Sequence, residues 1–174
     1  MTMKLKLCSA LIGILLSVFS HNTQAHLMAP NKGTLNFDQS GGYLVLSLPV
    51  STLMGFDKDK DKILTIQEIK SQQKEMIEYV TESLYLKSEE QTTFLSGTML
   101  APQKNHDVNN SQIEHIVIIG KFLLPLRDVM SIHVSLLNSL KPNEKLTITM
   151  TEKGNHSKPI FILNSTNTSY ILDE

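Results

Sequence analysis

Hydrophobic and polar positions follow three different patterns along the chain. The first is the apolar run Leu11-Ile12-Gly13-Ile14-Leu15-Leu16, preceded by Lys4 and Lys6 and followed by the small-residue site Thr23-Gln24-Ala25. That order predicts a secretory signal over residues 1–25, removed near Ala25. The expected product is a single extracytoplasmic domain, residues 26–174, periplasmic or secreted. The second pattern is alternation: residues 33–38 and 42–50 read as strands, and Ser40-Gly41-Gly42 between them is a turn signal, so a hairpin opens the domain. Residues 51–56 predict one or two helical turns capped by Ser51. The third pattern has helical spacing. From residue 65 to about 84, Ile66, Ile69, Met76, Ile77, Val80 and Leu84 recur mostly three and four apart, which predicts one amphipathic helix of roughly five turns.

Alternation then returns. Strands are expected near 84–87, 92–100, 113–124, 131–136, 145–151, 159–163 and 169–172, separated by segments such as Lys141-Pro142-Asn143 and Lys153-Gly154-Asn155. The fold class that follows is α+β, mostly β: an antiparallel β-sandwich-like domain with one long amphipathic helix.

Composition narrows the chemistry. Sixteen Lys+Arg stand against 17 Asp+Glu, for a formal net charge of −1, with no basic cluster to make a nucleic-acid surface. The only cysteine, Cys8, falls inside the signal. The mature chain is therefore expected to lack disulfides, thiolate zinc sites and cysteine nucleophiles. Its longest apolar stretch, 116–126, is interrupted by Lys121 and falls well short of the roughly 20 residues of a spanning helix.

One segment carries metal-binding spacing. Asp57-Lys58-Asp59-Lys60-Asp61-Lys62-Ile63-Leu64-Thr65-Ile66-Gln67-Glu68 fits the twelve-residue EF-hand loop, within a motif that spans 51–84 with its flanks. Asp57, Asp59 and Asp61 fill positions one, three and five, where short carboxylates reach inward from a tight turn. Ile63 offers a backbone carbonyl at position seven, Thr65 sits where a ligand acts through water, and Glu68 supplies two oxygens at position twelve. The expected cofactor is Ca²⁺. Leu64 at position eight is the residue that packs the loop. Position six is normally Gly because the chain turns there with positive φ, and Lys62 at that place costs roughly 1 kcal/mol. With Lys58 and Lys60 it also offsets the carboxylate charge, which points to a Kd of about 10⁻⁴ to 10⁻³ M.

The histidines offer a rival chemistry. His26 at the mature terminus would pair its imidazole with a free α-amine, a chelate for Cu²⁺ or Ni²⁺ that His106, His115, His133 or His156 could complete. No nucleophile elbow, His-Glu-x-x-His helix or phosphate loop is present, and no catalytic residue is assigned. The expectation is a non-enzyme, with a hydrolase whose groups converge only in three dimensions as the remaining rival.

The order of features resembles the extracytoplasmic N-terminal domain of HupE/UreJ-type bacterial membrane proteins. The resemblance rests on the Ala25-His26 junction, Leu48-Pro49-Val50, Leu53-Met54-Gly55-Phe56, the Asp57 to Asp61 run with Leu64-Thr65 and Glu68-Ile69, Tyr79-Val80, and the later segments 136–140, 146–150 and 160–163. It implies calcium ligands at Asp57, Asp59, Asp61, Ile63, Thr65 and Glu68. Those membrane proteins continue into spanning helices, sometimes linked with nickel or cobalt handling. Here the resemblance implies only the soluble module, acting alone or with a membrane or periplasmic protein partner.

Overall fold

The computed structural model describes residues 28–104, 112–126, 130–156 and 158–172. Among the described residues ten strands form two sheets. β1 (Lys32–Asp38) and β2 (Gly41–Pro49) make the expected opening hairpin, and a 3-10 turn (Val50–Phe56) leads from it toward residues 57–65. Two short helices follow, α1 (Ile66–Ser71) and α2 (Gln73–Ser83), then β3 (Leu84–Ser88), β4 (Thr92–Phe94), β5 (Ser96–Lys104) and β6 (Ile113–Phe122). The chain closes with β7 (Met130–Val134), a second 3-10 turn (Ser135–Ser139), β8 (Leu146–Glu152), β9 (Ile160–Leu163) and β10 (Ser169–Leu172). The larger sheet has the order β5-β6-β2-β1-β8-β9 and the smaller β10-β7-β3-β4. The fold is α+β and mostly β.

Period-two burial explains the core. Leu35 and Phe37 on β1, Leu44, Leu46 and Leu48 on β2, and Ile116 and Ile118 on β6 all face inward and are buried. They join Leu84, Leu86, Ile132 and Val134 of the smaller sheet in one continuous hydrophobic cluster. Met76 and Val80 of α2 and Ile69 of α1 enter the same cluster, so the helices lay their apolar stripe on it.

Four expectations change on contact with the structure. Among the described residues all strand pairs but one are antiparallel; β1 and β8 pair in parallel, Thr34 opposite Thr149. The expected strand 92–100 is two strands in different sheets. Leu95 is buried at the crossing, where its N–H donates to the Leu84 carbonyl (3.1 Å), and Gly97 turns with φ 63°. The expected five-turn helix is divided at Gln72 (φ −119°, ψ 18°). The Gln72 side-chain amide donates to the Phe56 carbonyl at 2.7 Å and so ties the break to the end of the 3-10 turn. That turn has no cap from Ser51; Pro49 precedes it, and the Thr52 hydroxyl donates to the Pro49 carbonyl at 2.8 Å instead. Among the described residues no helix is long and apolar enough to cross a membrane.

The β1–β2 turn shows why one glycine cannot be replaced without strain. Gly41 sits at φ 136°, and a Cβ there would lie 2.0 Å from the Phe122 carbonyl oxygen. Ser40 fastens the turn: its N–H and hydroxyl both donate to Asp38 Oδ1 (2.7 and 2.5 Å), and Lys121 Nζ reaches its hydroxyl from β6 at 2.9 Å. Gly55 has nothing within 4 Å of its would-be Cβ. Gly41→Ala is therefore expected to cost about 1–3 kcal/mol in urea unfolding through backbone strain, while Gly55→Ala leaves stability within about 0.5 kcal/mol. Equal effects at the two positions would contradict this packing.

Candidate metal-binding loop

Residues 57–65 join the 3-10 turn to α1, and their conformation is set by carboxylates folding back on the main chain. Asp57 accepts from the N–H of Lys60 on Oδ1 (2.8 Å) and from that of Lys62 on Oδ2 (2.9 Å). Asp59 accepts from Asp61 N–H at 3.2 Å, and Asp61 from Ile63 N–H at 2.7 Å. Each short side chain thus bonds a main-chain donor two to five residues ahead, a turn-forming habit of aspartate. The chain must curl tightly to allow it. Lys62 takes φ 69°, the positive value expected at the sixth position, and Lys60 takes φ 59°, which the spacing did not foretell.

The curl gathers three ligand atoms. One carboxylate oxygen from each of Asp57, Asp59 and Asp61 lies within 4.8 Å of the others, with Asp57 half-buried and the other two exposed. Among the described residues this is the one group of three or more His, Cys, Asp or Glu side chains that could hold a metal ion. Glu68, the expected twelfth-position ligand, stands beside this trio rather than within it. Its Oε1 accepts from Lys58 N–H (2.8 Å), and its Oε2 accepts from Thr65 N–H (2.9 Å) and the Thr65 hydroxyl (2.8 Å). Thr65 Oγ1 in turn accepts from Glu68 N–H at 3.2 Å, which completes a capping box on α1. Glu68 therefore already bridges the first and last parts of the loop.

Electrostatics follow from this crowding. The N–H and hydroxyl of Thr65, then the N–H of Lys58, hold Glu68 below the ordinary carboxylate range. For Asp59 the Asp61 N–H acts in the same direction. Desolvation and the charges of Asp61 and Glu68 outweigh it, and the Asp59 carboxyl is raised. Packed like charges of this kind are relieved by a bound cation.

Two anchors connect the loop to the fold. Leu64 is 1% exposed and belongs to the hydrophobic core. Phe56 meets Tyr79 of α2 edge to face, with ring centroids 5.7 Å apart. Ile63 and Thr65 line a cleft of about 310 Å³ whose opposite wall is Lys104, Gln112 and Ile113, at the ends of β5 and β6.

The histidine alternative gains no geometry. His26 and His106 lie outside the described residues. His115 is buried on β6, His133 is half-buried on β7 and His156 is exposed, and no metal-capable group of three or more among the described residues contains any of them. Glu75 and Glu78 lie on the exposed face of α2, where Lys74 lies 3.9 Å from Glu78, an exposed pair of little energetic weight. Sequence reasoning passed over the contact between Ser131 and His133, a hydroxyl and an imidazole 2.9 Å apart on neighbouring outward positions of β7. The i, i+2 spacing on a predicted strand was the only signal for it.

In comparisons with known proteins, the chain matches no family model and no curated protein.

The capping box makes its own prediction. Thr65→Ala removes one donor to Glu68 and the acceptor for Glu68 N–H, and should cost about 1 kcal/mol near neutral pH. Glu68 has a depressed folded pKa, so its contribution is complete above the ordinary value of 4.5 and disappears as pH falls through the lower folded value. The gap in stability between parent and Thr65→Ala, followed by urea unfolding from pH 7 down to pH 3, should narrow accordingly. A gap that widens with acidification would contradict the assignment.

Proposed function

We propose that this chain is an exported calcium-binding module, in which one EF-hand-like loop braces a helical segment against a β-sandwich. The observation that carries the proposal is the convergence of Asp57, Asp59 and Asp61, drawn together by main-chain N–H groups held on their own carboxylates. Hard, short carboxylates at alternate positions suit a hard cation bound through oxygen, and Ca²⁺ tolerates the flexible geometry that such a loop offers. In this reading the Ile63 carbonyl and Thr65 complete the shell, and Glu68 closes it from the first turn of α1. The resemblance to the extracytoplasmic domain of HupE/UreJ-type proteins supports the same reading. It adds a membrane or periplasmic protein as partner.

The role assigned to calcium is structural. Leu64 sits in the core while its neighbours along the loop carry the ligands, so a cation held by the loop favours the folded state directly. A ligand that binds only that state adds RT ln(1 + [L]/Kd). With Kd near 10⁻⁴ to 10⁻³ M, about 10 mM calcium adds roughly 1.4 to 2.7 kcal/mol. Thermal unfolding should therefore shift upward by several degrees in millimolar Ca²⁺, and Asp57→Ala should abolish the shift. Lys62→Gly, which removes both a left-handed side chain and a cation from the loop, should tighten binding by up to about tenfold. A parent protein indifferent to calcium would defeat the proposal.

A further inference from the structure

The outward face of the smaller sheet carries a second constellation, remote in kind from the carboxylate loop. Cross-strand register sets Tyr85 of β3 opposite His133 of β7, and Lys87 of β3 opposite Ser131. Ile171 of β10 lies opposite Ser131 on the other side. Ser131 and His133 both point outward because their neighbours Met130, Ile132 and Val134 are buried. The Ser131 hydroxyl and His133 Nε2 are 2.9 Å apart. The imidazole lies flat against the Tyr85 ring, centroids 4.6 Å apart and planes 8° from parallel, which fixes its tilt. Ser131, His133, Lys87, Glu89 and Ile171 line one open cleft of about 340 Å³.

We propose that Ser131 and His133 form a nucleophile and general-base pair for acyl transfer from small neutral esters bound in this cleft. A hydroxyl within hydrogen-bond reach of an imidazole, with the imidazole held by a third group, is the arrangement that activates serine. Here stacking on Tyr85 takes the orienting role. Ser131 Oγ attacks the ester carbonyl carbon as its proton passes to His133 Nε2. The C–O bond to the alcohol then breaks, and the alcohol leaves with that proton. Water attacks the acyl-serine, gives its proton to His133, and releases the carboxylic acid as Ser131 recovers its own proton. Lys87, which lines the same cleft opposite Ser131, supplies the cation for the negative charge that develops on the carbonyl oxygen. Exposed Ile171 offers an apolar wall for a short acyl chain, and Glu89 at the rim disfavours retention of the carboxylate product.

Among the described residues the charged and titratable groups around His133 are Lys87 and Tyr85 on β3 and Glu89 just beyond it, while β10 presents Ser169 and Ile171. Burial first, and Lys87 second, lower His133 from its ordinary value of 6.5. The imidazole is then neutral at pH 7 and ready to accept a proton. The rate should be flat near neutrality and fall only as pH drops below the ordinary histidine value.

The test uses the full mature chain with two probes, a fluorophosphonate and p-nitrophenyl butyrate. The fluorophosphonate is expected to add to Ser131, displacing fluoride, with the adduct found on the peptide carrying that residue by mass spectrometry. Ser131→Ala should lose both the adduct and the ester hydrolysis. His133→Gln should slow hydrolysis by about 100-fold or more. Lys87→Met should lower kcat and move the acid inflection upward, a pair of changes that a purely structural lysine would not produce. Circular dichroism identical to the parent controls for folding of each variant. An unmodified Ser131 in the folded parent protein, or hydrolysis undiminished in Ser131→Ala, would overturn the proposal.

Discussion

Everything proposed about the metal loop depends on one carboxylate. Asp57 accepts two main-chain N–H groups, from Lys60 and Lys62, and in doing so bends the chain through two left-handed lysines. Left-handed backbone is disfavoured by about 1 kcal/mol or more for a side chain with a Cβ, so the curl needs a compensating interaction at the same place. Hydrogen bonds to an ionised acceptor are among the stronger ones available. Asp59 and Asp61 are joined by their own hydrogen bond, and it is the curl made by Asp57 that brings its carboxylate to theirs.

The remainder of the fold turns that local curl into a global property. Leu64 is the hinge of this connection because it is buried in the core two residues beyond Lys62. Thr65 and Glu68 then start α1 with a reciprocal cap, and Gln72 reaches back across the loop to the Phe56 carbonyl. The loop is therefore closed at both ends by hydrogen bonds and beneath by apolar contact. Asp59 shows the cost of the arrangement, since its neighbours' charges and its desolvation together raise its pKa despite a favourable N–H. A cation would remove that cost.

Local spacing made the convergence of Asp57, Asp59 and Asp61 legible in sequence, because alternate positions of a tight turn are defined by order alone. The opening hairpin was legible for the same reason: period-two alternation around Gly41 fixes both strands and their turn. Most of what escaped was non-local. No glycine or proline marks the break at Gln72, which depends on a carbonyl sixteen residues earlier. The crossing at Leu95 looks like unbroken strand, since a buried leucine reads alike in either sheet. The parallel pairing of β1 with β8 joins segments more than a hundred residues apart. The positive φ at Lys60 escaped too, because position four carries no residue preference that a lysine would violate. Ser131 and His133 share no catalytic signature, and only the register of β7 against β3 sets them beside Lys87 and Tyr85.

The most direct measurement of the central claim is a calcium titration of the ¹⁵N-labelled protein followed by amide chemical shifts. The account predicts saturable shifts concentrated at Lys60, Lys62, Ile63 and Glu68, whose N–H groups lie on the loop's own acceptors, with a midpoint of about 10⁻⁴ to 10⁻³ M. Small, unsaturated shifts scattered over Glu75, Glu78, Glu89 and other exposed carboxylates, with the loop amides unmoved, would contradict it.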